Sequence, residues 1–80
     1  MNTYRTTFAV ECPNNGQRIE YLLEIQTTKV ILVEKLQSFL KKNKRAFHED
    51  LADALVEAFG GLQTLKAEHH GVLIETVRKS

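Results

Sequence analysis

The residues best able to do chemistry here are three histidines, one cysteine and a few carboxylates among apolar neighbours. His69 and His70 stand together in "LKAEHHGVLIETV", His48 opens "HEDLADALVEAF", and Cys12 ends "TYRTTFAVEC". Imidazole titrates near neutrality, so a histidine can move a proton, ligate a metal or hydrogen-bond a polar ligand. Zinc needs at least three convergent protein ligands. His69 and His70 are neighbours, and in an extended strand they point to opposite faces, so one chain cannot chelate with both. His48, Cys12 or a second subunit would have to complete the set, and no metal site or cofactor is expected. As a pair the histidines read as the polar tip of a hairpin. The competing reading has His69 contacting a ligand at a subunit interface.

Two carboxylates deserve the same treatment. Glu49 stands with Asp50 and Asp53 in the first turns of a helical pattern, where negative charge complements the helix dipole. Glu75 interrupts "VLIETV". A carboxylate there must face solvent, pair with a cation or bind a polar ligand. Arg5 or Arg18, on the first hairpin, is the expected partner in a cross-strand pair. Cys12 has no cation or helix N-terminus near it in sequence to activate a thiolate, so it reads as an inert strand residue. "FGG" is a helix stop and not a phosphate loop, and no Ser/His/Asp set assembles.

The elements that must position these residues follow from periodicity. In residues 3–12, Tyr4, Phe8, Val10 and Cys12 alternate with Arg5, Thr7 and Glu11, the period of two of a half-buried strand. "PNNG" follows, and its Asn-Gly suits the positive φ angles of a tight hairpin turn. In residues 17–27, Ile19, Tyr21, Leu23 and Ile25 alternate with Arg18, Glu20, Glu24 and Gln26. From Val30 the period changes to that of a helix, with Leu32, Val33, Leu36, Phe39 and Leu40 on one face. Its end, "KKNK", places cations at the negative end of the dipole. A second helix carries Phe47, Leu51, Ala54, Leu55, Ala58 and Phe59 as its apolar stripe, and Gly60-Gly61 stops it. "LQTLKAE" and "GVLIETV" then read as two strands joined near "HHG". The last is apolar on both faces for part of its length, which implies cover from the helices on one side and from something else on the other.

The order ββααββ predicts an α+β fold: one domain over residues 1–80, a four-stranded antiparallel sheet with both helices packed on one face. Such a unit leaves two sheet edges open. A chain of 80 residues buries only roughly 60–65% of the surface it exposes unfolded. Edge pairing between copies would mend both weaknesses, so a homo-oligomer is expected.

Composition narrows the function classes. The formal charge is +1, from 11 Lys plus Arg against 10 Asp plus Glu. Nucleic-acid binders usually carry a basic stripe. The one basic cluster, Lys41 to Arg45, has no interleaved aromatic residue and reads as a solvated loop, so nucleic acid is an unlikely partner. One cysteine excludes an internal disulfide and suits a reducing compartment. No apolar run approaches the roughly 18 residues of a membrane span, and no basic region precedes an apolar one at the N-terminus. A soluble, cytoplasmic protein is expected.

The order ββααββ resembles the tunnelling fold, whose purine- and pterin-handling enzymes bind ligand between such subunits. The closest local similarity is to type I GTP cyclohydrolase, over roughly residues 47–79. It rests on "HEDLADALVEAF", "AEH" (Ala67 to His69) and "VRK" (Val77 to Lys79). The resemblance implies that Glu49 holds the amine and ring N–H of a guanine-like base, as a two-oxygen acceptor can. It implies that His69 is an acid/base in ring opening. The chain departs from that family in its zinc ligands, having only Cys12, and in lacking the Cys-x-x-His element and the additional N-terminal helices. Zinc-assisted ring hydrolysis is therefore not implied.

These observations lead to an oligomeric subunit binding a purine- or pterin-like ligand at an interface. Glu49 or Glu75 would hold the ligand, with His69 beside it. The alternative is a small non-enzymatic binding or inhibitor protein, of the kind phage and mobile elements encode, acting through a sheet edge or helix face. A contact to nucleic acid through Lys41 to Arg45 is a third reading.

Overall fold

Alternation produces the expected strands. The computed structural model describes residues 1–80, in the order β1 (Asn2–Glu11), β2 (Arg18–Thr27), α1 (Val33–Lys42), α2 (His48–Phe59), β3 (Leu62–His69) and β4 (Val72–Lys79). The four strands form one sheet in sequence order, every neighbour antiparallel. The helices cover one face. On that side lie Val10, Ile19, Tyr21, Leu23, Ile25, Leu65 and Ala67, packed against Ile31, Leu36, Leu51, Ala52 and Leu55. Leu51 and Leu55 are fully buried, each contributing about 1.5–3 kcal/mol of transfer free energy.

The α+β architecture stands as predicted, with several local differences. The β1–β2 connection is not a two-residue turn. Gly16 N donates to the Cys12 carbonyl at 2.8 Å and Cys12 N to the Gln17 carbonyl at 2.8 Å. Only Gly16 (φ 71°) has a positive φ there. A turn through Pro13 to Asn15 therefore ends on one left-handed glycine, the usual device of longer hairpin loops.

The first helix begins at Val33, and its buried anchor is Leu36, with Phe39 and Leu40 packed beside it. Leu32 and Val33, expected on the buried face, are about half exposed, and Ile31 is buried in their place. The stripe of α2 is rotated too. Phe47 (51% exposed) and Ala58 face outward, and the buried set is His48, Leu51, Ala52 and Leu55. That set keeps the i, i+3, i+4, i+7 spacing of one helical face, with a histidine in the first place.

α2 is clamped at both ends. At its C-terminus the buried Gln63 side chain donates to the Leu55 and Gly60 carbonyls at 3.0 and 2.8 Å. At its N-terminus His48 hydrogen-bonds Thr76 on β4. The connection between the helices lies along the end of β1, with Glu11 N donating to the Lys44 carbonyl and Ala46 N to the Glu11 carbonyl. The remaining outer edge of β1 and that of β4 pair with nothing in the chain. On the sheet's open face Leu73 and Val77 are exposed, so nothing within the chain supplies the second cover that the apolar character of β4 implied.

Candidate functional site: a histidine pair beside an unpartnered tyrosine

The β3–β4 hairpin divides the two adjacent histidines. His70 and Gly71, with φ of 50° and 82°, form a two-residue loop of the kind that needs positive φ at both positions. His70 is the exposed tip, with Nε2 3.3 Å from Asn15 Nδ2. His69 is the last residue of β3. It shares parity with Gln63, Leu65 and Ala67, so it points beneath the helices, where the hairpin-tip reading does not place it.

There it meets His48, which the sequence reading treated only as a spare metal ligand. His48 Nδ1 lies 3.2 Å from His69 Nε2, and His48 Nε2 lies 2.9 Å from Thr76 Oγ1. Two facing ring nitrogens can share one proton but cannot both carry one. Burial, and then the facing His69, hold His48 below its usual pKa. Two proton arrangements satisfy this geometry. In one, Thr76 donates to His48 and His48 to His69, leaving His69 Nδ1 a donor. In the other both bonds reverse, and His69 Nδ1 becomes an acceptor. Thr76, His48 and His69 thus form a relay that ends at the outer nitrogen of His69.

Tyr21 completes the cluster. Its ring lies 5.3 Å from that of His48, 6.0 Å from that of His69 and 5.5 Å from that of Phe8, on which it stacks. Tyr21 is 1% exposed, and its hydroxyl is the one buried side-chain polar atom without a hydrogen-bond partner. Burial, with Cys12 nearby, raises its pKa, so the phenol stays neutral and keeps its proton to donate. Such an atom costs about 1–3 kcal/mol while unpaired.

These groups border a cavity of about 260 Å³, walled by Ile19, Ala46, Phe47 and Ile74, with Cys12, Tyr21, His48, Glu49 and His69 supplying the polar atoms. A larger hollow, about 440 Å³, lies between the segment from Lys29 to Leu32, α1 and the end of α2. It contains no histidine, cysteine or tyrosine, so its size does not make it the chemical site.

The two residues named by the resemblance, Glu49 and His69, both line the smaller cavity. Glu49 Oε2 is bound by Arg78, which also grips Asp53 at 2.8 Å, so "VRK" and the start of α2 are joined by an ion-pair triad. Glu75 is elsewhere. It sits on the open face of the sheet, directly across from Lys66, whose Nζ is 3.9 Å away. Its cross-strand partner is therefore Lys66. Arg5 and Arg18, the expected partners, pair instead with Glu24 and Glu20. No three His, Cys, Asp or Glu side chains converge as a metal ion would require. In the basic cluster, Arg45 donates to the Pro13 carbonyl. No helix is long and apolar enough to cross a membrane. Comparison with protein families, curated proteins and solved structures finds no match for the chain.

Proposed function

We propose that this chain is one subunit of a homo-oligomer that binds a small purine- or pterin-like ring in the Tyr21–His48–His69 cavity. One observation carries the reading: Glu49 and His69, 20 positions apart in sequence, border the same apolar-walled cavity. Glu49 receives the amine and ring N–H of the ligand at the rim, using Oε1 while Arg78 retains Oε2. His69 is the acid/base, and His48 and Thr76 behind it let its outer nitrogen give or take a proton. Ile74 lies on β4, an edge strand, so a second subunit added at that edge would wall the cavity from outside and cover part of the exposed sheet.

Light scattering and a thermal-shift screen with guanine nucleotides and pterins test this together. The expected result is an oligomer at micromolar concentration, stabilised by such a ligand, with the stabilisation lost in Glu49→Gln and His69→Ala. A strict monomer would remove the interface, and binding that survives both substitutions would remove the site.

The non-enzymatic alternative has its own observation. Val30, Leu32 and Val33 expose apolar side chains together at the start of α1, Val30 by 78%, and such a patch suits a protein contact. A partner bound by the wild type and lost in Val30→Ser/Leu32→Ser, with no heterocycle bound by either, would favour that reading.

A further inference from the structure

We propose that the end of the molecule opposite the histidine cavity is a second binding site, for a small amphiphilic anion. Lys29 and Lys79 hold its carboxylate or phosphate headgroup, and a short alkyl chain lies against Val30, Leu32 and Phe59. The two sites share no residue. Thr27, at this end, is six residues along β2 from Tyr21, roughly 20 Å of strand.

Two hollows meet here. One, of about 430 Å³, is lined mainly by polar residues, among them Gln26, Thr28, Lys29 and Lys79. The other, of about 440 Å³, has apolar walls in Val30, Leu32, Val56 and Phe59. Lys29, Gly60 and Ser80 border both, so one ligand can place its head in the first and its chain in the second. Lys29, Lys35 and Lys79 surround the hollows against a single carboxylate side chain, Glu57. None of the three lysines is ion-paired. Three ammonium groups against one carboxylate leave an excess of two positive charges, in a chain whose total is +1. Met1 and Ser80 line the polar hollow too, and an amino and a carboxyl terminus there offset each other.

The fold leaves both halves of this site unsatisfied. Val30 is 78% and Leu32 52% exposed, on either side of the buried Ile31. The segment cannot simply turn them inward. Ile31 N donates to the Tyr4 hydroxyl at 3.0 Å and Lys29 N to Thr27 Oγ1 at 3.1 Å, which fixes its backbone. Thr28 and Gly61 lie outside every helix and strand, and their amide hydrogens have no acceptor in the chain. An anionic headgroup accepts from ammonium groups and amides alike, and its methylenes cover the exposed valine and leucine. Solvated lysines alone hold an anion weakly. The chain therefore supplies most of the affinity, and the charge decides which amphiphiles are taken.

NMR titration of the isotope-labelled full chain tests this with hexanoate, octanoate, decanoate, octyl phosphate and the uncharged octanamide. Millimolar octanoate is expected to shift the amides of Thr28, Val30, Leu32, Gly60 and Gly61 and to leave Ile19 and Ile74 unmoved. Affinity is expected to rise about two- to fourfold per added methylene, and octanamide to bind about threefold more weakly than octanoate or worse. Lys29→Gln/Lys79→Gln, at exposed positions, is expected to abolish that preference and keep the dependence on chain length. Val30→Ser/Leu32→Ser is expected to flatten the dependence on chain length. Tighter binding of octyl phosphate than of octanoate identifies a phosphate ester as the natural class, and the reverse a fatty acid; either upholds the site. Equal affinity for octanoate and octanamide, or a preference that survives loss of both lysines, would overturn it. No shift with decanoate, or shifts centred on Ile19 and Ile74, would overturn it too, and the proposed function, which uses none of these residues, would stand.

Discussion

Replacing Gln63 by methionine should destabilise this domain by about 2 kcal/mol, because Gln63 fastens the C-terminal end of the helix that carries the site. The amide nitrogen donates to the Leu55 carbonyl at 3.0 Å and to the Gly60 carbonyl at 2.8 Å, from a residue only 3% exposed. Methionine has a similar length and volume, so no cavity is left. Two hydrogen bonds at about 0.5–1.5 kcal/mol net each give roughly 1–3 kcal/mol. The upper end is a ceiling, because Leu55 lies within α2 and the Gly60 bond is only partly buried. In a domain of this size about 2 kcal/mol lowers the melting temperature by roughly 8–16 °C. Urea unfolding followed by far-ultraviolet circular dichroism measures it, with an unchanged m-value as the sign that the denatured state is unaltered. Gln63→Glu sharpens the test. It keeps the shape but sets a carboxylate against two carbonyl oxygens, so at neutral pH it should cost more than methionine and recover partly on acidification. A loss below about 0.5 kcal/mol for methionine, within the range of ordinary surface changes, would refute the clamp, as would a glutamate variant more stable than the methionine one.

Three further outcomes follow from the same geometry. His48 has its pKa lowered by burial and by His69, so below about pH 6.5 the unfolded chain takes up a proton that the folded chain refuses. Stability is whole above that pH and is lost as the pH falls through the folded value; melting temperatures from pH 8 to 5 should therefore drop more steeply for the wild type than for His48→Gln, and parallel curves would count against it. Gly61→Ala should be poorly tolerated, because φ is 77° and a Cβ would meet the Gln26 carbonyl oxygen at 2.6 Å. Strain of this kind costs about 1–3 kcal/mol, and a melting temperature equal to that of the wild type would show that the β2–β3 end relaxes. Arg78→Gln should leave the melting temperature nearly unchanged, since its partners are largely exposed and such pairs add little. It should alter ligand affinity wherever Glu49 is used, and an unfolding transition shifted as far as that of Gln63→Met would contradict this.

Most of the fold could be read from periodicity, because each strand alternates cleanly and each helix presents one apolar face. Tyr4, Phe8 and Val10, and then Ile19, Tyr21, Leu23 and Ile25, all lie on the side their parity predicted. The faces of the helices were harder to read, for a physical reason. An apolar count accepts Phe47 and cannot accept His48, yet the helix buries the histidine because Thr76 and His69 satisfy both of its ring nitrogens. The spacing of His48, Leu51, Ala52 and Leu55 was available as a signal, had a polar residue been admitted to the stripe. His69 carried a signal of the same kind: its parity with Leu65 and Ala67 put it inside, and only the neighbouring His70-Gly71 is the turn. Glu75 and its partner were settled by register, which brings Lys66 directly across and which no single strand reveals by itself. The pairing of Glu49 with Arg78 depends likewise on how α2 lies over β4.

The position of the polar cluster argues for use and against accident. A domain of 80 residues has little stability to spare, commonly about 0.05–0.15 kcal/mol per residue. The Gln63 end of the helical layer is closed in the ordinary way, with both amide bonds made and Leu55 sealed beside them. At the other end two histidines, a threonine and a tyrosine occupy positions that parity assigns to the core, and one of their polar atoms has no partner. Apolar residues of similar volume would remove that cost without altering strand register or helix length. A local departure from the rule that otherwise governs the whole sheet face, confined to one end and bordering the cavity that Glu49 also lines, is what a binding site imposes on a small fold. The same reasoning separates His69 from His70: the first is half-buried on the helix-covered face against His48, while the second lies in the turn, exposed, where a polar residue costs nothing.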